Sequence, residues 1–256
     1  MSYGICTLSV IPVRAEPTDA SEMVNQLLFG EVYEVLIQRN DWLRIRSAHD
    51  QYEGWISEKQ WSIIDKQTFS EAAKHTCFAA DLVDMIRFER SEAHALICFG
   101  SPLALYKDKK GRIGESAYQY SGDVLKPTRD REIILSSAYT YLHSPYLWGG
   151  RTPFGIDCSG LTQMAYRFGG IDLPRDAWQQ AELGNPLSFI EESEPGDLAF
   201  FANKEGKIVH VGLLLEDNRI LHASGQVRID PIDQTGIYHM GLKRHTHRLR
   251  VIKRLL

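Results

Sequence analysis

The sequence predicts an α+β protein in which small β-barrels precede a domain of antiparallel strands and helices. Three observations carry this prediction. Short runs of alternating apolar and polar residues recur over about the first 65 residues, as in Trp42–Arg46. Apolar residues at helical spacing follow Cys158. Two apolar segments of strand length, Ile208–Leu215 and Arg219–Ser224, come later, so helices and strands are segregated along the chain.

Length and charge exclude several classes of protein. The chain has 256 residues and a formal net charge of −4, which is not the strong positive field that a nucleic-acid partner requires. Its apolar runs are far shorter than the ~20 residues of a membrane span. No basic and apolar leader begins the sequence. We therefore expect a cytoplasmic protein, or a cell-envelope protein if a leader has been removed.

The composition changes along the chain and predicts three domains. Residues 1–65 form a first small barrel of short strands. Residues 66–126 hold a helical connector, with one or two short helices expected over Gln67–Arg90, and a second, similar β-rich unit. Residues 127–256 form the third domain, which opens with a helix that Thr128 is expected to cap.

Cys158 is the candidate nucleophile. The four cysteines form no CxxC pair, and the three others are expected to pack in cores: Cys6, Cys77 and Cys98. Cys158 stands where a loop becomes a helix, and the unpaired N–H groups at a helix start favour a thiolate. The same groups can stabilise an oxyanion on an attacked carbonyl. The position therefore predicts nucleophilic chemistry.

Two histidines supply a candidate base and its orienting partner. His210 and His222 lie 12 residues apart on two strands joined by Glu216–Asn218. A three-residue turn places His222 diagonally opposite His210 on the same face, whereas an even turn places the rings on opposite faces. Diagonal neighbours lie about 7–8 Å apart at Cα, which permits a hydrogen bond between imidazoles. We assign His210 as the general base and His222 as its orienter.

Other readings of these residues stay open at this point. Cys158, His210 and His222 could hold a zinc ion with an open water position, although the nucleophile reading is preferred and no metal is expected. The motif His245-x-His247 also suggests metal ligands, but it is interpreted as a solvated strand or turn.

The third domain resembles the NlpC/P60 cysteine peptidases. The resemblance rests on the segments YLWGG and GIDCSG around Cys158, followed by His210 and His222 at their spacing. It implies a papain-like fold of antiparallel sheet and helices. The first 65 residues resemble a bacterial SH3 domain in the pattern of Gly30, Trp42, Gly54 and Trp55. Two SH3-like barrels are therefore expected upstream.

The combination resembles γ-D-glutamyl-L-diamino acid endopeptidases of the dipeptidyl-peptidase VI type. This implies a hydrolase that cuts murein peptides with a free N-terminal L-Ala and releases L-Ala-D-Glu during peptidoglycan turnover or murein recycling. No cofactor is implied, and murein peptides are the expected partner. Two alternatives remain, a non-catalytic SH3 scaffold that binds the cell wall and a papain-like amidase on another substrate.

The resemblance also implies residue roles. Cys158 matches the nucleophile, His210 the base and His222 the third catalytic residue. The implied substrate-binding residues are, in chain order, Tyr52, Tyr146, Asp157, Ser159, Arg175 and Asp176. Among these, Asp176 and Tyr52 would hold the substrate ammonium, Arg175 would suit a carboxylate, and Tyr146 would assist the oxyanion. Ala177 replaces a frequent Ser, and Glu16 and Glu22 are weaker candidates from the first SH3 unit.

Overall fold

A computed structural model describes residues 2–74, 77–89, 93–113 and 116–256. Two compact units make up the chain, Met1–Pro127 and Thr128–Leu256. Within the described residues, no helix combines the length and apolarity needed to cross a bilayer. The division of the first unit into two SH3-like domains stays a prediction.

The N-terminal unit opens with seven antiparallel strands that form one sheet. Their bounds are β1 (Ser2–Ile5), β2 (Val10–Arg14), β3 (Met23–Leu28), β4 (Val32–Arg39), β5 (Trp42–Ser47), β6 (Glu53–Ser57) and β7 (Ser62–Ile64). In space they follow the order β3-β2-β6-β5-β4-β1-β7. Alternate residues of β5 face inward, so Leu43 and Ile45 join Ile56 in a buried core. The alternating pattern of Trp42–Arg46 predicted β5 correctly.

In the described residues of the remainder of this unit, there are one α-helix and six strands. Helix α1 spans Lys66–Ala72, and Asp65 caps it by accepting a hydrogen bond from the Thr68 amide. The strands that follow are β8 (Phe78–Ala79), β9 (Val83–Phe88), β10 (His94–Cys98), β11 (Lys110–Ile113), β12 (Ser116–Gln119) and β13 (Val124–Leu125). A four-stranded sheet has the order β10-β9-β12-β11, and β13 pairs with β8.

The helical prediction over Gln67–Arg90 is wrong beyond α1, because Val83–Phe88 is a strand. Its apolar residues fit either period over so short a run. The segment is a strand because it pairs with β10, and this tertiary contact outweighs the local propensity. Residues 75, 76 and 90 of the predicted helical stretch lie outside the described residues.

The C-terminal unit contains three helices and nine strands. The helices are α2 (Arg131–Thr140), α3 (Cys158–Phe168) and α4 (Ala177–Gln180). The strands are β14 (Arg151–Thr152), β15 (Gly155–Ile156), β16 (Asn185–Leu187), β17 (Leu198–Ala202), β18 (Ile208–Leu215), β19 (Arg219–Ser224), β20 (Gln226–Asp233), β21 (Gly236–His239) and β22 (Arg244–Arg254). Asp130 caps α2, in place of the expected Thr128, because its carboxylate accepts from the Glu132 amide.

The main sheet of this unit closes on itself. Its order is β16-β22-β17-β18-β19-β20-β21, and β22 also pairs with β21, so six strands form a ring. Helix α3 packs on this sheet and is buried along its whole length. The helix ends at Gly169, and Gly170 follows in the left-handed region with φ +66°. A rigid helix and a closed sheet therefore support the residues at the start of α3.

Candidate active site

Cys158 is the first residue of α3, as the sequence predicts. Asp157 caps this helix by accepting a hydrogen bond from the Gly160 amide. The Cys158 side chain is buried, with 5% of its surface exposed. Backbone N–H groups of Ser159 and of Val211, which follows His210 on β18, interact with its sulfur. The nucleophile candidate therefore lies against the strand that carries the base candidate.

The resting form of Cys158 differs from the thiolate expected at a helix start. Burial raises the pKa of its thiol to about 12, and the carboxylate of Asp157 adds to this shift. The Val211 and Ser159 amides and the Arg175 charge act in the opposite direction but do not outweigh burial. The structure therefore holds a neutral thiol, which must transfer its proton before or during attack.

This neutral thiol predicts a particular pH dependence of alkylation. We expect iodoacetamide to modify Cys158 slowly at pH 7, and the rate to rise about tenfold per pH unit up to at least pH 9, because only the thiolate reacts. Peptide mass spectrometry after timed alkylation gives the rate at Cys158 separately from the other cysteines. A rate that is already constant between pH 6 and pH 8 would contradict the prediction, since it would show a preformed thiolate.

The hairpin of β18 and β19 has the register that the three-residue turn predicts. Leu215 pairs with Arg219, and His222 pairs with Gly212, two residues beyond His210. His210 and His222 therefore lie on the same face as diagonal neighbours. A side chain at position 212 would bring its Cβ within 2.8 Å of the His222 Cβ. Glycine at this position makes room for the imidazole.

The two imidazoles form a hydrogen-bonded chain with an aspartate that the sequence analysis missed. His210 Nε2 lies 2.9 Å from His222 Nδ1, and His222 Nε2 lies 3.0 Å from Asp230 Oδ2. The exposed fractions of the three side chains are 6%, 1% and 3% in that order. Asp230 lies on β20, diagonal to His222, which pairs with Arg228. Its signal in the sequence was weak, because β20 is only partly buried and Asp230 alternates with a single buried apolar residue, Ile232.

Burial keeps both imidazoles neutral. It places the pKa of His210 well below the usual value, and the nearby His222 and His247 act in the same direction. Burial also lowers the pKa of His222, although the hydrogen bond and charge of Asp230 oppose that shift. A neutral imidazole is the form that accepts a proton, so His210 is ready to act as a base at neutral pH.

His247 was predicted to be solvated, and this prediction is wrong. Its ring stacks on that of His210, with 4.2 Å between centroids and 28° between planes. The ring is half-buried, and burial is the main reason that its pKa falls to about 4. His245 is exposed and pairs with Asp233 instead. The alternation along β22 identified a strand, but it did not identify which neighbour the strand would meet.

Asp157, Arg175 and Ser159 form a buried network at the start of α3. Arg175 donates from Nη2 to Asp157 Oδ2 at 2.6 Å and from Nη1 to Asp157 Oδ1 at 3.0 Å. Its Nη1 also donates to Ser159 Oγ at 2.9 Å. The Arg175 side chain is only 2% exposed. Asp157 accepts a further hydrogen bond from the Gly149 amide, so the network joins the loop before Cys158 to the helix after it.

The structure places the other predicted binding residues in two groups. Tyr146 is half-buried near Cys158 and Asp157, whose charges add to the effect of burial in raising its pKa. Asp176 is half-buried, and its amide donates to the Gln179 side chain at the start of α4, where Ala177 is the first residue. The N-terminal unit carries the remaining candidates: half-buried Tyr52 before β6, and exposed Glu16 and Glu22 between β2 and β3.

In the part of the chain that the structure describes, no three His, Cys, Asp or Glu side chains are arranged to hold a metal ion. The Cys158 region instead combines a thiol, a neutral imidazole and a helix N-terminus, the groups that nucleophilic acyl transfer uses. The backbone N–H groups at the start of α3 can stabilise a developing oxyanion. This arrangement is chemically suited to the hydrolysis of an amide bond through a thioester.

Comparisons with known proteins agree with this chemistry. Residues 143–247 match the NlpC/P60 family, and residues 13–60 match the bacterial dipeptidyl-peptidase SH3 domain. A dipeptidyl-peptidase 6 from Lysinibacillus sphaericus is 28% identical over 86% of this chain and 88% of that protein. A γ-D-glutamyl-L-lysine dipeptidyl-peptidase from Bacillus cereus is 28% identical over 86% of this chain and 73% of its own length.

A solved structure shares the fold. The crystal structure of an NlpC/P60 family protein from Bacillus cereus aligns over 100% of both chains with a TM-score of 0.81 and 20% sequence identity. A second, an NlpC/P60 endopeptidase from Photobacterium damselae, has a TM-score of 0.74 over 97% of this chain and 70% of its own. These structures show a shared fold, and the family match over residues 143–247 shows that the C-terminal unit contains an NlpC/P60 domain, which a bacterial SH3 domain matched over residues 13–60 precedes in the chain.

Proposed function

We propose that this chain hydrolyses the γ-D-glutamyl–diamino acid bond of murein peptides that carry a free N-terminal L-Ala, releasing L-Ala-D-Glu. The observation that carries the proposal is the hydrogen bond between His210 and His222, on a strand where the amide of Val211, the residue after His210, contacts the Cys158 sulfur. The printed names of two relatives, a dipeptidyl-peptidase 6 and a γ-D-glutamyl-L-lysine dipeptidyl-peptidase, support the choice of substrate.

The proposed reaction has two acyl-transfer steps. The Cys158 sulfur attacks the γ-carbonyl carbon of D-Glu while His210 takes the thiol proton. Collapse of the tetrahedral intermediate breaks the amide bond, and His210 gives its proton to the departing amine of the diamino acid. Water then attacks the thioester, and His210 takes a proton from the water and returns it to the sulfur.

Groups at the start of α3 are proposed to stabilise the negative charge that develops on the carbonyl oxygen of the substrate. The Cys158 backbone N–H lies at a helix N-terminus, where a donor and the helix dipole favour an anion. Tyr146 is placed near the sulfur and is proposed to donate its hydroxyl proton to the oxyanion. Arg175 contributes through Asp157 and Ser159, which it holds beside the nucleophile.

The free amine of L-Ala provides the proposed selectivity. We assign Asp176 to bind this ammonium, and Tyr52 stays a candidate from the sequence alone. Asp176 is half-buried, and an acylated peptide would cover its carboxylate without supplying a cationic partner, which disfavours binding. Longer glycopeptides lack the free amine, so the site is expected to discriminate against them.

Mass spectrometry of two matched peptides tests this function. L-Ala-γ-D-Glu-diaminopimelate incubated with the full chain should release L-Ala-D-Glu, and the lysine analogue tests the diamino acid that the relative's name contains. The N-acetylated peptide should be cleaved at least about 100-fold more slowly, because it lacks the ammonium. Equal rates on free and acetylated peptides would refute the amine requirement. Tight binding to murein without release of any product would refute the hydrolase and favour a wall-binding role.

A further inference from the structure

We propose that Asp230, held by Arg228, is a positioning residue that fixes the tautomers of His222 and His210, so that His210 presents a lone pair to Cys158. This inference deepens the proposed function and rests on it for the catalytic role of His210. Asp230 itself touches neither the substrate nor the nucleophile in this account. Its effect passes through two imidazole rings.

The hydrogen-bonding capacity of each group determines the direction of the chain. An ionised carboxylate only accepts, so the contact with Asp230 requires the proton of His222 to be on Nε2. A neutral His222 then has a lone pair on Nδ1, and His210 must donate to it from Nε2. The nitrogen left for Cys158 is Nδ1 of His210, in its unprotonated form. The reverse order of tautomers would point an N–H at the thiol and prevent proton transfer.

Arg228 keeps Asp230 in the accepting form. Its Nη2 donates to Asp230 Oδ1 at 2.8 Å, and its Nε lies 2.7 Å from Oδ2. Burial disfavours the charged carboxylate, but the hydrogen bonds from His222 and Arg228 outweigh burial and lower the pKa of Asp230. Arg228 lies two residues before Asp230 on β20 and directly opposite His222 on β19. The Arg228 and Asp230 side chains therefore lie on the same face, where the guanidinium reaches the carboxylate.

The other groups around the rings do not supply a competing anion. His247 stacks on His210 and lies 5.6 Å from the His222 centroid. Its pKa of about 4, lowered chiefly by burial, leaves it uncharged at pH 7. On the other side, His239 Nε2 lies 2.9 Å from Arg228 Nη1. Among the described residues, the carboxylate that hydrogen-bonds to this pair of imidazoles is therefore Asp230, through His222.

The variant Asp230→Asn separates this role from simple packing. Arg228 Nη2 can only donate, so the amide oxygen is expected to take the place of Oδ1, and the NH2 group then takes the place of Oδ2 and faces His222. Facing His222, the NH2 group donates to Nε2 and reverses both tautomers. The matched control is Asp233→Asn on the same strand. Asp233 contacts the exposed His245, so this variant also removes the charge of an Asp–His contact, but away from the His210–His222 pair.

Nitrogen-15 NMR of the imidazoles tests the proposal without a substrate. In the unmodified chain, His210 and His222 should both be Nε2–H tautomers, and Asp230→Asn should convert them whereas Asp233→Asn should not. An Nδ1–H form of either ring in the unmodified chain would overturn the proposal, even if Asp230→Asn fails to fold. Unchanged tautomers in a folded Asp230→Asn protein would also overturn it.

Kinetics then connect the tautomers to catalysis. Asp230→Asn should lower kcat on the tripeptide by about 10²- to 10⁴-fold with little change in KM. The acid limb of kcat/KM should move to lower pH, because the lost negative charge no longer stabilises the protonated His210. A fall in kcat with an unmoved acid limb would indicate a packing role only. If the tautomers convert in Asp230→Asn but the unmodified chain cleaves no murein peptide, the positioning role of Asp230 is supported and the proposed function is refuted.

Discussion

Substituting Cys158 by alanine is expected to lower kcat/KM for L-Ala-γ-D-Glu-diaminopimelate by at least about 10⁴-fold, because no thioester can then form. Cys158→Ser should be nearly as inactive. Its hydroxyl is far less acidic than the thiol, and His210 is already a weak base through burial. Initial rates of L-Ala-D-Glu release, measured by mass spectrometry over a range of substrate concentrations, give the change directly.

Cys98→Ala is the control for this substitution. Cys98 is also a buried thiol, but it belongs to β10 of the N-terminal unit, whereas Cys158 begins α3 of the C-terminal unit. It should therefore keep full activity per folded molecule. Hydrolysis that persists in Cys158→Ala at more than about a hundredth of the original rate would remove the nucleophile assignment, since loss of a covalent nucleophile costs more than this.

Arg175→Met should produce the largest loss of stability, about 3–5 kcal/mol of the free energy of unfolding of the C-terminal unit. Methionine fills a similar volume but leaves the Asp157 carboxylate buried without its cationic partner. The same substitution loosens the start of α3, so activity should fall with stability. Urea unfolding followed by circular dichroism measures the change, with the transitions of the two units fitted separately.

An exposed ion pair of the same unit provides the comparison. Arg219 contacts Asp217 at 3.4 Å, and both side chains are largely exposed, so Arg219→Met should cost no more than about 1 kcal/mol. If Arg175→Met were as mild as Arg219→Met, the Asp157–Arg175 pair would not support the site. In that case, the role of Arg175 would have to be sought in direct contact with the substrate.

Local rules were enough to predict the elements that hold the candidate nucleophile and the candidate base. The apolar residues after Cys158 repeat at helical spacing, and the observed helix begins at Cys158 and ends before Gly169. The strands β18 and β19, which carry His210 and His222, have the predicted bounds, because alternation and a polar turn act over short distances. Asp217 and Asn218 take left-handed conformations in that turn, which these residue types tolerate.

The missed features depend on contacts between distant segments. Asp230 joins the site only because β20 pairs with β19 in one register, and no local pattern specifies that pairing. His247 reaches His210 because β22 closes the sheet on itself. The protonation state of Cys158 also needed the structure, since helix position lowers a thiol pKa while burial raises it by more. Tertiary packing decided each of these cases.

The short turn Glu216–Asn218 places an unusual constraint on how this sequence can diverge. Surface loops ordinarily accept insertions and deletions with little consequence. Here Leu215 and Arg219 form the last pair before the turn, and the pairing continues to His222. Gaining or losing one residue within the hairpin would send the second imidazole to the reverse side of the sheet. Asp217 and Asn218 can therefore change to other residue types that accept left-handed conformations, whereas a change in the number of turn residues should be selected against as strictly as a change in the candidate catalytic residues.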